Sequence, residues 1–244
     1  MTHDEYITAL RSNAVALADA ARRAEMDAPV PSCPEWTVHR LLEHIGGHHR
    51  WVLGNLDRTP AEGMHPFDDY ESAPDDSRAA GWVEEGAIAL AERLSEVGPD
   101  RRCWTWVPDL DATTGFWARR TANETAVHRW DMQNAAGAPE PVAADHAVDA
   151  IDEYFGVLRV IGGDRLRGDG ETIHWHCTDT EGEWLARLAP EGLEVSREHA
   201  KGDVALRGPA SDLLLVTTGR SPGSTVEVLG DPALVERWQR AAKF

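Results

Sequence analysis

The sequence predicts an α+β chain: a helical bundle over residues 1–140, followed by a smaller α+β domain over residues 141–244. Three observations predict it. Four stretches with helical apolar spacing fall in the first 137 residues, and the segments joining them are too short for β crossovers. Pro139 and Pro141 then punctuate the chain. Beyond them, five short alternating stretches are bracketed by helical ones, the pattern of strands grouped with helices.

The first helix spans Glu5 to Met26, with Ile7, Leu10, Ala14, Leu17 and Ala21 on one stripe. Pro29 and Pro31 end it, and PSCPEW reads as a turn whose Thr37 caps the next helix. That helix runs from Val38 to about Leu56, with Leu41, Leu42, Ile45, Val52 and Leu53 buried. A polar loop, Asp57 to Asp76, leads to a third helix, Ser77 to Val97, apolar at Trp82, Ile88, Leu90 and Leu94. A loop carrying Trp104 and Trp106 precedes a fourth helix that starts near Thr114 and ends at Gly137. In the second half, Val142 to Ile161 is helical, and ETIHWHCT, EWLARLAP, LEVSRE and DVALRG read as four strands. Pro209 opens a short buried helix ending at Gly219, Thr225 to Leu229 is a fifth strand, and Asp231-Pro232 opens the last helix.

Charge and composition exclude several function classes. The net charge of −18 is unsuited to a nucleic-acid backbone or an anionic membrane surface, both of which need concentrated Lys and Arg. No run reaches the ~20 apolar residues of a membrane span. The start, MTHDEYITAL, lacks the basic and apolar regions of a signal peptide, so a cytoplasmic location is expected. Cys33, Cys103 and Cys177 are few, odd in number and far apart, as reduced thiols are. Neither a phosphate-cradling glycine loop nor a Gly-x-Ser-x-Gly nucleophile elbow is present.

The fourth helix carries the chemistry. Glu124 and His128 are one helical turn apart on one face, and Asp131 lies three residues further on that face. A carboxylate and an imidazole so placed can share a divalent cation such as zinc, although the same spacing is common in solvated ion pairs. The second helix offers His39, His44, His48 and His49. His49 falls within the apolar stripe and reads as a core residue. His44 and His48, at its edge, can each complete a site with Glu124 and His128, and helical phase does not choose between them. His174 and His176 share a strand face, where the absence of a third ligand nearby in sequence favours a solvated face. Trp51, Trp82, Trp117 and Trp130 read as core or interface residues, and one of Trp104 and Trp106 can line a cavity. Cys33 reads as structural.

The segments SCPEWTVHRLLEHIGGHHRWV and ETAVHRWDMQNAAG resemble the mycothiol-dependent maleylpyruvate isomerase family, a branch of the DinB-like metalloenzymes. The resemblance continues in GDVALRGPASDLLLVTTGR, similar to that family's second domain, and so spans nearly the whole chain. It implies a DinB-like four-helix bundle and a sterol-carrier-like C-terminal domain. It also implies His44, eight residues after Trp36, together with Glu124 and His128, as ligands of a divalent metal, most simply zinc. Asp131 and Arg220 match family positions and are the candidate catalytic residues, Arg220 also as the binding group for an anionic cofactor or substrate. Three protein ligands leave an open position, as catalytic zinc sites do, and coordination would hold mycothiol as its thiolate. In the isomerase that thiolate would add to the double bond of maleylpyruvate, and rotation followed by elimination would give fumarylpyruvate.

The expected function is therefore a metal-dependent, mycothiol-using isomerase or thiol S-transferase, with a small electrophile and the thiol as partners. Two alternatives fit the same residues: a non-catalytic small-molecule-binding protein with a structural metal, and a metal-dependent hydrolase whose metal activates water. A thiol requirement separates the first reading from both.

Overall fold

The structure, a computed structural model, describes residues 1–66, 72–106 and 112–243, and the chain divides into two compact units, Met1–Glu140 and Pro141–Phe244. Residues 67–71 of the expected Asp57–Asp76 loop, and residues 107–111 beyond Trp106, lie outside the described residues.

In the first unit, α1 (His3–Ala21), α2 (Val38–Asn55), α3 (Asp76–Val97) and α4 (Thr114–Ala135) form the bundle. Thr2 closes α1 with a reciprocal capping box to Glu5, and the Thr37 hydroxyl accepts from Arg40 N at the start of α2. The helix α1 stops five residues before the expected Met26. Arg23 N and Ala24 N bond back to Ala20 O and Ala21 O, tightening the chain into turns. Those turns feed a two-stranded ribbon where a plain turn was expected. In it β1 (Pro29–Val30) pairs antiparallel with β2 (Cys33–Thr37). Val30 is fully buried, and Val38 N and His39 N donate to Ala28 O and Met26 O, so the ribbon is fastened to the first turn of α2.

Small residues set the helix spacing. Gly46 of α2 lies against the Trp82 ring of α3, where a Cβ would come within 2.2 Å of a ring carbon. The buried stripe of α3 is Ala79, Ala80, Trp82, Val83, Ala87, Leu90, Ala91 and Leu94, so Trp82, Leu90 and Leu94 lie inside as expected while Ile88, also expected inside, is 45% exposed. The helix α4 is buried around most of its surface and carries Asn123, His128, Arg129, Asp131 and Gln133 inside. Desolvating that many polar groups requires partners for them. The site follows from who those partners are.

The second unit contains α5 (Ala144–Ile161), α6 (Ala210–Thr217), α7 (Pro232–Ala241) and a five-stranded mixed sheet. Its strands are β3 (Glu171–Cys177), β4 (Glu183–Ala189), β5 (Gly192–Ser196), β6 (Val204–Gly208) and β7 (Glu227–Gly230), in the order β5-β4-β3-β6-β7. The β3–β6 pair is parallel and the other pairs are antiparallel. The strand β7 starts two residues later than expected because Gly223–Thr225 forms a 3₁₀ turn. One face of β3 packs Trp175 against Phe155 of α5 and Trp238 of α7, with ring centroids 5.1 Å apart in both cases. The same strand's other face carries His174 and His176.

Candidate metal centre

Three elements of the first unit converge. Glu124 and His128 project from α4, His44 from the first half of α2, and the β1–β2 ribbon brings Ser32, Cys33 and Trp36 against them. His44 Nε2 and His128 Nε2 each lie 3.3 Å from Glu124 Oε1. Donors bound to one tetrahedral zinc at about 2.0–2.1 Å sit roughly 3.3–3.4 Å apart. One ligand atom from each of the three residues falls within 4.8 Å of the other two. The set also keeps a way in: the His44 and Glu124 side chains are 27% and 17% exposed, whereas His128 is 3% exposed.

A second layer fixes these groups. Asp131 is fully buried, with one oxygen 2.8 Å from His128 Nδ1 and the other accepting from Ser32 Oγ at 2.5 Å. With Nδ1–H given to the carboxylate, Nε2 is the nitrogen that faces Glu124 and His44. Both Asp131 oxygens are thus engaged, one by His128 and one by Ser32. Arg120, one turn before Glu124 on α4, pairs with Glu124 Oε2. Trp36 flanks both imidazoles, with ring centroids 4.8 Å from His44 and 5.9 Å from His128.

The electrostatics favour a charged carboxylate between imidazoles. Burial works against the charge on Glu124, but Arg120 and the two histidines outweigh it and hold the carboxyl well below its usual range. Burial pushes the His44 pKa down, only partly offset by Glu124. His128 is the opposite case: burial opposes its charge, yet Asp131 and Glu124 together raise its pKa. A carboxylate and two imidazole nitrogens, one neutral and one held by a buried acid, make a donor set suited to a borderline divalent cation.

His49 is a core residue as expected: fully buried, with Nε2 3.0 Å from Thr125 Oγ1 and its pKa lowered by burial to about 3. His48 is buried one turn beyond His44, with no hydrogen bond to Nε2, and stands outside the three-residue cluster. Trp104, one of the two loop tryptophans expected near a cavity, sits among aromatic rings. It packs with Trp51 and Trp117, and its carbonyl accepts from Trp117 Nε1. Arg120, Ser32 and the ring role of Trp36 went unread in the sequence. Only Arg120, four residues before Glu124, left a local signal.

Two family profiles match this chain: the mycothiol maleylpyruvate isomerase N-terminal domain over residues 7–133 and the corresponding C-terminal domain over residues 145–237. The chain belongs to the mycothiol maleylpyruvate isomerase family. No curated protein is similar to it at a significant level. Among solved structures, it is similar to a mycothiol-dependent maleylpyruvate isomerase, with 14% identity, 93% of each chain covered and a TM-score of 0.63. A histidine mutant of that isomerase gives 15% identity, 93% of each chain and a TM-score of 0.59. At such identities the likeness establishes a shared fold. No helix among the described residues is long and apolar enough to cross a membrane.

In this isomerase-family chain Arg220 lies in the second unit, just past α6. Gly219 adopts φ +73°, a left-handed turn that lets Arg220 N bond back to Leu215 O and ends the helix. Arg220 Nη1 donates to Thr218 O, and the side chain borders a groove of about 360 Å³ shared with Arg240, Lys243 and Glu236. Three cations around one concavity suit an anionic group. Cys33 Sγ lies 4.0 Å from Asp131 Oδ2, while Cys103 and Cys177 are buried, with pKa values pushed up to about 11 and about 12. That makes the latter two inert packing thiols.

Proposed function

We propose that this protein is a divalent-metal-dependent enzyme that uses mycothiol, with maleylpyruvate isomerisation as its leading reaction and thiol S-transfer as the same chemistry on another electrophile. The observation that carries the reading is the His44–Glu124–His128 cluster, with donor spacings of 3.3 Å and an oriented His128. The residues fit the metal that the family implies: two imidazole nitrogens and a carboxylate oxygen would hold it, and zinc is the simplest choice. A cation bound there would supply a Lewis-acid centre with a free position, able to keep a thiol in its thiolate form.

The chain's own residues do the rest. Glu124 brings the charge that offsets the cation, and Arg120 keeps that carboxylate ionised and fixed in rotation. Asp131 holds His128 in the tautomer that presents Nε2, and Ser32 holds Asp131. Trp36 gives the two imidazoles an apolar wall, which keeps water off one side of the pair and strengthens charge interactions within it. Arg220 is proposed to bind an anionic group of the thiol cofactor or substrate through its planar fork of donors. The test is turnover of maleylpyruvate by the zinc-loaded protein with and without mycothiol. Turnover that requires the thiol supports the reading. Thiol-independent hydrolysis would favour a hydrolase, and thiol binding without turnover a binding protein.

A further inference from the structure

We propose a second divalent-metal site in the C-terminal unit, formed by His174, Glu183 and His199, in which His176 positions the carboxylate. His174 and His176 lie two residues apart on one face of β3, and the antiparallel register sets Glu183 of β4 directly opposite His176. The chain leaving β5 returns over that face and brings His199 to the same carboxylate. The three imidazole rings stand around it with centroids 5.6 to 6.2 Å apart. Ligand atoms of His174, Glu183 and His199 all fall within 4.8 Å of one another. His199 Nδ1 lies 2.7 Å from Glu183 Oε2, and His176 Nδ1 lies 2.6 Å from Oε1.

His174 is the feature that points to a ligand. It is 6% exposed, yet its Nε2 makes no hydrogen bond and stops 3.7 Å from Glu183 Oε2. A buried imidazole nitrogen without a partner carries an uncompensated desolvation penalty, which a cation in front of it removes. A solvated face, the expectation from sequence, would leave that nitrogen to water. Two imidazole nitrogens and one carboxylate oxygen select a borderline cation such as zinc, cobalt or nickel over magnesium or calcium. The His199 side chain is 80% exposed, so a cation has access and the loop can open by the few tenths of an ångström that ligation needs.

The test is calorimetric titration of zinc into chelator-stripped full-length Glu124→Ala protein, whose N-terminal cluster is disabled, and into Glu124→Ala/His199→Ala. The expected result is one equivalent in the first and none in the second. His44→Ala replaces Glu124→Ala as the background if loss of Glu124 unfolds the bundle. The exposed His199 position can be changed without disturbing the core, and circular dichroism checks this. No zinc uptake by the folded single variant overturns the site, as does an equivalent that persists after His199 is removed.

Discussion

The two histidine–carboxylate clusters use the same side chains on opposite kinds of scaffold. The cluster in the bundle is carried by helices, and its central carboxylate divides its oxygens between imidazoles on one side and a buried guanidinium on the other. The cluster on the sheet is carried by two strands and a returning loop, and imidazoles take both oxygens of its carboxylate. In the bundle two of the three donors have a backing group: Asp131, itself held by Ser32, stands behind His128, and Arg120 behind Glu124. Backing of this kind holds a ligand set in one geometry before a cation arrives. On the sheet the backing is one histidine, and one ligand is almost wholly exposed. The difference teaches what separates a rigid centre able to support chemistry from a site that can take up a cation without being built around it.

The strongest way to break the comparison is at Glu124. Glu124→Ala is expected to lower mycothiol-dependent turnover by on the order of 100-fold or more, since both the charge and the bridging oxygen disappear. Wild-type turnover in the folded variant would show that the bundle cluster is not the reactive centre. Asp131→Asn sharpens the argument about backing. It should weaken zinc binding to the bundle by about 10- to 100-fold with the helices intact, read by competition with a chelating dye. Unchanged affinity would reduce Asp131 to a packing role.

Stability gives a third test. In metal-free protein, Glu124→Gln removes the negative charge paired with the buried Arg120 guanidinium, at a cost of about 3 kcal/mol, or roughly 6–12 °C in the melting of the bundle at pH 7. The depressed Glu124 pKa makes this contribution present above the ordinary glutamate value of 4.5 and lost as pH falls through the folded value. The gap between wild type and variant must therefore shrink on acidification. A gap independent of pH would contradict the charge assignment. The smallest effect is expected at Arg220. Arg220→Ala should raise KM for the anionic reactant about tenfold, with zinc content unchanged, as loss of a charged hydrogen bond implies. Equal KM would return Arg220 to the role of a turn residue.

The contrast between the clusters also explains what was legible in the sequence. Glu124, His128 and Asp131 were readable because a helix fixes which residues share a face, and Thr37 and Asp231 announced two helix starts that their side chains do cap. His44 needed more than phase, because His48 lies on the same edge and only tertiary packing separates them. The ribbon was hidden in PSCPEW: two prolines read as a turn, whereas pairing Val30 with Cys33 buries Val30 and delivers Ser32 and Trp36. Ile88 was misplaced because alanines, weak in any hydrophobic pattern, fill half of the α3 stripe beside Trp82, Val83, Leu90 and Leu94. The sheet cluster was legible only in its two strand histidines, His174 and His176, which alternation puts on one face. Its carboxylate reaches His176 through strand register and its third histidine through a loop path, and neither leaves a local mark.

The central claim is that the bundle cluster is a metal site in its own right. The most direct measurement is zinc titration of chelator-stripped His199→Ala protein, in which the sheet cluster is disabled, beside His199→Ala/Glu124→Ala. The account predicts one equivalent in the first and none in the second. No zinc bound by the single variant, or an equivalent that survives loss of Glu124, would contradict it.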